Sequence, residues 1–187
     1  ARPAFLVQWA KMGSIYMENI CKVKNPKVGL VNIGAEEEKG NNLAKETYQL
    51  LCNLEGINFI GNIEAREIPE GKADVVVCDA FVGNVILKMY EGVGGVLLKK
   101  VKGTLMTSLK TKIGALLIKK ELKETLKTFQ MDQYGGAPLL GLKGLVVKTH
   151  GNSKAIEVKN SIIQCISFKE MNINDKISKK LAVKKEN

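Results

Sequence analysis

Three observations predict an α/β fold with a mostly parallel sheet and helices on both faces. Short β-branched runs alternate with segments of 3.6-residue apolar period, the pattern of strand–helix–strand units. The 187 residues are 45% hydrophobic, enough for one ordinary core or two small ones without staples. Cys21, Cys52, Cys78 and Cys165 form no CxxC pair, and His150 is the single histidine. A zinc site and a disulfide scaffold are therefore not expected, and the dispersed thiols fit a reducing cytoplasm.

The elements follow in order. Pro3 suits a first helical turn, and Phe5, Leu6, Trp9, Met12, Ile15 and Tyr16 keep helical spacing to about Ile20. Asn25-Pro26 ends that pattern. Residues 28–33 read as a buried strand, 34–42 as a polar loop, 43–54 as a helix stopped by Gly56, and 57–60 as a second strand. A connection with Pro69 and Gly71 leads to a third strand at 74–79. A long helical region follows, with Gly103 and Gly114 expected to divide it. Residues 119–129 give a further helix, 144–149 a last strand, and Ser153 is expected to cap a last helix to about Phe168. The lysine-rich end from Asp175 is expected to fray.

No internal repeat is visible. No run of 18 or more apolar residues occurs, so no spanning helix is expected. Lys11 and Glu18 interrupt residues 1–20, so no secretory leader is expected there.

In parallel sheets ligands bind beyond the carboxyl ends of strands, which selects three segments. In Gly34-Ala-Glu-Glu-Glu-Lys-Gly-Asn-Asn42, Lys39, Gly40 and Asn41 offer a cation and backbone N–H groups to an anion at a helix start. Glu36, Glu37 and Glu38 oppose that, and a solvated, Asn-capped loop would use the same residues. In Asp79-Ala-Phe-Val-Gly-Asn84, Asp79 ends the strand, Asn84 is expected to open the next helix and Lys88 lies one turn on, so a carboxylate, an amide and an ammonium share a strand-to-helix mouth. An ordinary cap with an exposed lysine is the plainer alternative. In Thr149-His150-Gly-Asn-Ser153 the histidine at a strand end would serve as a general acid/base or as a donor to an anion, or else brace a tight turn. No nucleophile elbow is present. Gly92-Val-Gly94-Gly95 lies inside a helical pattern, so close helix packing explains it better than dinucleotide binding.

Net charge is +10, from 29 basic and 19 acidic residues. The stretch from Lys99 to Lys127 holds nine lysines against two acids, +7 in all. Leu105, Leu109, Ile113, Leu116 and Leu117 interleave with them. Lysines mixed with long aliphatics suit an anionic lipid surface. They would equally rim a subunit interface. Aromatics are missing there until Phe129, which argues against nucleic acid.

Met12-Gly-Ser14, Asn32-Ile-Gly-Ala-Glu-Glu-Glu-Lys-Gly-Asn41, Asp79-Ala-Phe-Val-Gly-Asn84, Tyr134-Gly-Gly-Ala137 and His150-Gly151 occur in this order. Together they resemble the bacterial phosphate acyltransferases of phospholipid synthesis, which act on acyl-acyl carrier protein. The match runs to about Lys169. The resemblance implies a three-layer fold similar to isopropylmalate dehydrogenases and phosphate acetyltransferases, with a projecting helical hairpin at about 95–130. It implies transfer of a fatty acyl group to inorganic phosphate by direct attack, with no cofactor or metal. His150, Asp79 and Lys88 would be catalytic, and Lys39, Gly40, Asn41, Asn84 and Ser153 would bind phosphate or substrate. A homodimer, docked on the membrane from the cytoplasm through Leu105, Leu109, Ile113, Leu116 and Leu117, is the implied assembly. The chain begins on Ala1-Arg-Pro3 without Met, which aligns mid-family. Residues 1–170 are thus expected to be the carboxyl-terminal part of the acyltransferase domain, with 171–187 a basic tail. A non-catalytic lipid- or protein-binding piece of the same fold, or a phosphate acetyltransferase-like enzyme, are the alternatives.

Overall fold

The computed structural model describes residues 1–127, 135–151 and 153–182. Helix α1 (Pro3–Asn19) has its proline in the first turn, where the missing N–H costs nothing. Strand β1 (Lys27–Asn32) leads through a loop to α2 (Asn42–Cys52) and β2 (Asn58–Glu64). A single 3₁₀ turn (Ala65–Glu67) precedes β3 (Val75–Val77). The three strands are parallel in the order β2-β1-β3. The chain therefore builds outward from β1 to β2, then crosses back to the far side of β1. That reversal creates a crevice between the carboxyl ends of β1 and β3, the usual ligand position in such sheets.

Side-chain alternation decides which face of the sheet is covered. Val28, Leu30, Val75 and Val77 are buried with Leu6 and Ala10 of α1 and Leu51 of α2. Val76, on the other face, is 37% exposed. The expected parallel α/β sheet is present, but among the described residues α1 and α2 pack on one face only, where helices on both faces were expected. One glycine lets α1 approach the sheet and another makes room between β1 and β2. A Cβ on Gly13 of α1 would lie 2.6 Å from Cγ1 of Val75, and one on Gly29 would lie 2.8 Å from Cγ2 of Ile63.

The back of α1 makes a second core. Met12 and Ile15 pack with Phe168 of α6 (Ala155–Glu170) and with Ile173 and Ile177 of α7 (Ile173–Leu181). Residues 173–181 are thus a docked helix, which corrects the expectation of a fraying tail from Asp175. Two isoleucines at i, i+4 anchor it while its lysines face solvent. Residues 183–187 lie outside the described residues.

Other boundaries also move. α3 (Ala80–Leu105) runs 26 residues through Gly103 without a break. The chain turns instead at Thr107, whose hydroxyl donates to the Thr104 carbonyl, and at Ser108, which caps α4 (Leu109–Leu117). Gly114 likewise lies inside α4, and α5 is Lys119–Lys127. The end of the expected 119–129 helix falls outside the described residues. A Cβ on Gly92, Gly94 or Gly95 would meet nothing within 4 Å. Among the described residues no helix packs on that glycine stripe, contrary to expectation. α3 is apolar along much of its length, and none of its residues is buried. By length and composition it is able to cross a membrane, although charges interrupt every apolar run. Length and composition alone do not separate a spanning helix from one covered by protein.

The last strand is shorter than predicted and outside the parallel sheet. β5 (Val147–Lys148) pairs antiparallel with β4 (Ala137–Pro138). Gly136 N–H donates to Oγ of Ser161 at 2.7 Å, pinning this hairpin to α6. A Cβ on Gly135 would sit 2.7 Å from the Ser161 nitrogen, and one on Gly136 2.7 Å from the Lys148 carbonyl oxygen. The Gly135-Gly136 pair is therefore a packing requirement. Tyr134 lies outside the described residues.

Candidate active site

A cavity of about 260 Å³ occupies the crevice between the ends of β1 and β3. Its rim is made by Asn32, Gly40 and Asn41 on the β1 side, and by Cys78 and Asp79 on the β3 side. Leu6, Leu30, Leu43, Val82 and Ile86 form much of its wall.

Two buried asparagines hold the loop between β1 and α2. Asn32 donates from Nδ2 to the Lys39 carbonyl at 2.9 Å, and its Oδ1 accepts from the Ile33 N–H at 2.8 Å. Asn62 of β2 donates to the Glu36 carbonyl at 2.8 Å. Its Oδ1 is buried without a partner among the described residues. Gly40 has φ +90°, and a Cβ there would stand 2.3 Å from Asn32 Oδ1. Only glycine closes the loop in this way. Asn41 then caps α2, accepting from the Ala44 N–H at 2.9 Å. With the loop so folded, Glu36, Glu37, Glu38 and Lys39 are all exposed.

On the other side Asp79 caps α3. Its Oδ1 accepts from the N–H groups of Phe81 at 2.8 Å and Val82 at 3.1 Å. A Cβ on Gly83 would lie 3.1 Å from Cys78 Sγ, so this glycine makes room for the thiol. Burial, and secondarily the negative charge of Asp79, push the Cys78 thiol up.

The residues predicted from sequence divide accordingly. Gly40, Asn41 and Asp79 come together around the cavity, with Lys39 exposed on the adjoining loop. Asn84 does not open α3 as expected, because Asp79 is its cap; it lies in the second turn and is exposed. Lys88 is exposed too, and pairs with Glu91 at 3.1 Å. His150 is exposed after β5, its carbonyl accepting the Ser153 N–H at 3.1 Å. Neither His150 nor Ser153 lines the cavity. Ser153 is not a helix cap, because α6 begins at Ala155 with Lys154 in the cap position. Asn32 and Asn62 were not singled out from the sequence. Their signal is an amide that follows apolar residues near the carboxyl end of each strand.

Of the aliphatic residues in the basic stretch, Leu109 and Leu117 are the most exposed, at 75% and 77%. Ile113 and Leu116 are also exposed, while Leu105 is half-buried. Leu105, Leu116, Leu122 and Leu126 line a second cavity of about 430 Å³ together with Lys112, Lys119 and Lys123. Among the described residues no cluster of three His, Cys, Asp or Glu side chains is placed to hold a metal.

A parallel sheet flanked by helices, with a mostly apolar cavity at its strand ends, places the chain in the α/β class. The chain matches the model of the family described as "Fatty acid synthesis protein" over residues 1–176, and it belongs to that family. It is 52% identical over 176 residues to the phosphate acyltransferase of Clostridium novyi (strain NT), covering 94% of this chain and 53% of that protein. Against the phosphate acyltransferase of Clostridium acetobutylicum identity is 51% over 180 residues, covering 96% and 54%. Against that of Acetivibrio thermocellus it is 49% over 176 residues, covering 94% and 52%. The family resemblance read from the five motifs is thus borne out. The chain spans about half the length of the curated relatives it matches.

Proposed function

We propose that the protein transfers a fatty acyl group from an acyl-acyl carrier protein to inorganic phosphate, forming acyl phosphate for phospholipid synthesis. The observation that carries this reading is half identity to phosphate acyltransferases over nearly the whole chain. A phosphate oxygen attacks the thioester carbonyl carbon, the C–S bond breaks, and the leaving thiolate takes up a proton. No covalent enzyme intermediate is required, so the protein acts by bringing two reactants together and stabilising the oxyanion. Lys39, on the outer side of the β1–α2 loop, faces the phosphate, while Gly40 and Asn41 at the start of α2 line the substrate cleft. Asp79 fixes the start of α3 across the cleft. His150 and Ser153, on the segment between β5 and α6, supply a hydrogen bond or a proton. Asn84, Lys88 and the lysines of α3 to α5 offer a basic surface to the acidic carrier protein.

The same basic, aliphatic stretch supports a peripheral position on the cytoplasmic membrane face, in a homodimer. Its exposed leucines give apolar contact and its lysines give attraction to anionic lipid.

The test of the reaction is release of free thiol from palmitoyl-acyl carrier protein by the purified protein. Release that rises with added phosphate is expected. Release independent of phosphate would make the protein a thioesterase. For the membrane surface, co-sedimentation with anionic vesicles is expected, and Leu116→Glu with Leu117→Glu abolishes it. Retention of that double variant would remove α4 from the docking surface.

A further inference from the structure

We infer that the cavity between the ends of β1 and β3 receives the acyl chain of the donor, with the phosphate held outside it. This rests on the acyl-transfer reading and specifies which substrate part the cavity takes.

Charge argues against an anion inside. Among the described residues, Asp79 is the only charged side chain lining the cavity, and no Lys, Arg or His lines it. A carboxylate with no facing cation repels phosphate. Several polar atoms at the rim are also committed elsewhere. Asp79 Oδ1 holds two N–H groups of α3, Asn41 Oδ1 holds one of α2, and the Asn32 amide bridges its own loop. Most of the remaining lining is hydrocarbon, from Leu6, Leu30, Leu43, Val82 and Ile86. Ile33, 80% exposed, extends the apolar surface at the mouth. A chain of methylenes satisfies such walls, each buried methylene strengthening binding roughly fourfold. Lys39, on the exposed outer side of the same loop, remains available to phosphate where the thioester carbonyl would emerge.

Cys78 lines the cavity and reports its occupancy. The protein is alkylated with iodoacetamide, and each cysteine is followed by peptide mass spectrometry. Saturating decanoyl-pantetheine, a neutral thioester, is expected to slow reaction at Cys78 about tenfold while exposed Cys21 reacts as before. Inorganic phosphate alone is expected to give no protection. A second arm replaces Val82→Phe, which narrows the cavity without adding charge. The ratio of decanoyl to butyryl turnover is expected to fall about tenfold, the equivalent of roughly two buried methylenes. Protection of Cys78 by phosphate, or no protection by the thioester, overturns the inference, as does an unchanged chain-length ratio. If the protein turns over no acyl donor, the acyl-transfer reading fails, and Cys78 protection still decides what the cavity holds.

Discussion

Gly40 is the residue on which the β1–α2 loop turns. Its positive φ and the 2.3 Å that would separate a Cβ from Asn32 Oδ1 leave no room for alanine. Gly40→Ala is therefore expected to cost about 2 kcal/mol in chemical denaturation. Asp79 combines two effects that substitution separates. Asp79→Ala removes the α3 cap and costs about 1 kcal/mol, whereas Asp79→Asn keeps most of it. Asp79→Asn also removes the charge that helps hold the Cys78 thiol up. A raised thiol pKa means less thiolate at a given pH, so the unmodified protein reacts slowly until pH passes the ordinary thiol range. Asp79→Asn should then speed Cys78 alkylation at about pH 8, while burial, the larger cause, keeps it slower than a free thiol. No acceleration would show that the charge does not reach the thiol. Gly40 and Asn41 were legible in the sequence because a turn and a cap are local, whereas the start of α3 was read at Asn84 and its cap is Asp79. Asn32 and Asn62 were not legible, because their partners are loop carbonyls that become neighbours only once β1 and β2 are in register.

Helix α7 shows where composition misleads. Its lysines suggested a solvated tail, yet Ile173 and Ile177 fill the space between α1 and α6. Ile177→Ala is expected to destabilise the protein by about 3 kcal/mol in thermal or chemical unfolding. Less than about 1 kcal/mol would mean that α7 is only loosely held. The three parallel strands were readable because buried β-branched runs have few alternatives. The place of β5 was not, since pairing with β4 depends on Gly135 and Gly136 approaching Ser161 and Lys148. Glycine inside α3 read as punctuation, but a helix tolerates it where apolar neighbours and a firm cap carry the segment.

At the scale of the whole molecule, α1 joins two cores, one with the sheet and one with α6 and α7. Leu6 of α1 belongs to the first core and also lines the cavity. The +10 charge now has an address: exposed lysines along α3 to α5, beside exposed leucines and away from the cavity. That separation of an apolar cavity from a basic outer surface is what the proposed donor, a buried chain on an acidic carrier, requires. The most direct measurement is capture of acyl phosphate as the hydroxamate, from palmitoyl-acyl carrier protein and phosphate, alongside the thiol released. Acyl transfer to phosphate predicts one hydroxamate for each thiol. Thiol release with free fatty acid and no hydroxamate would contradict it.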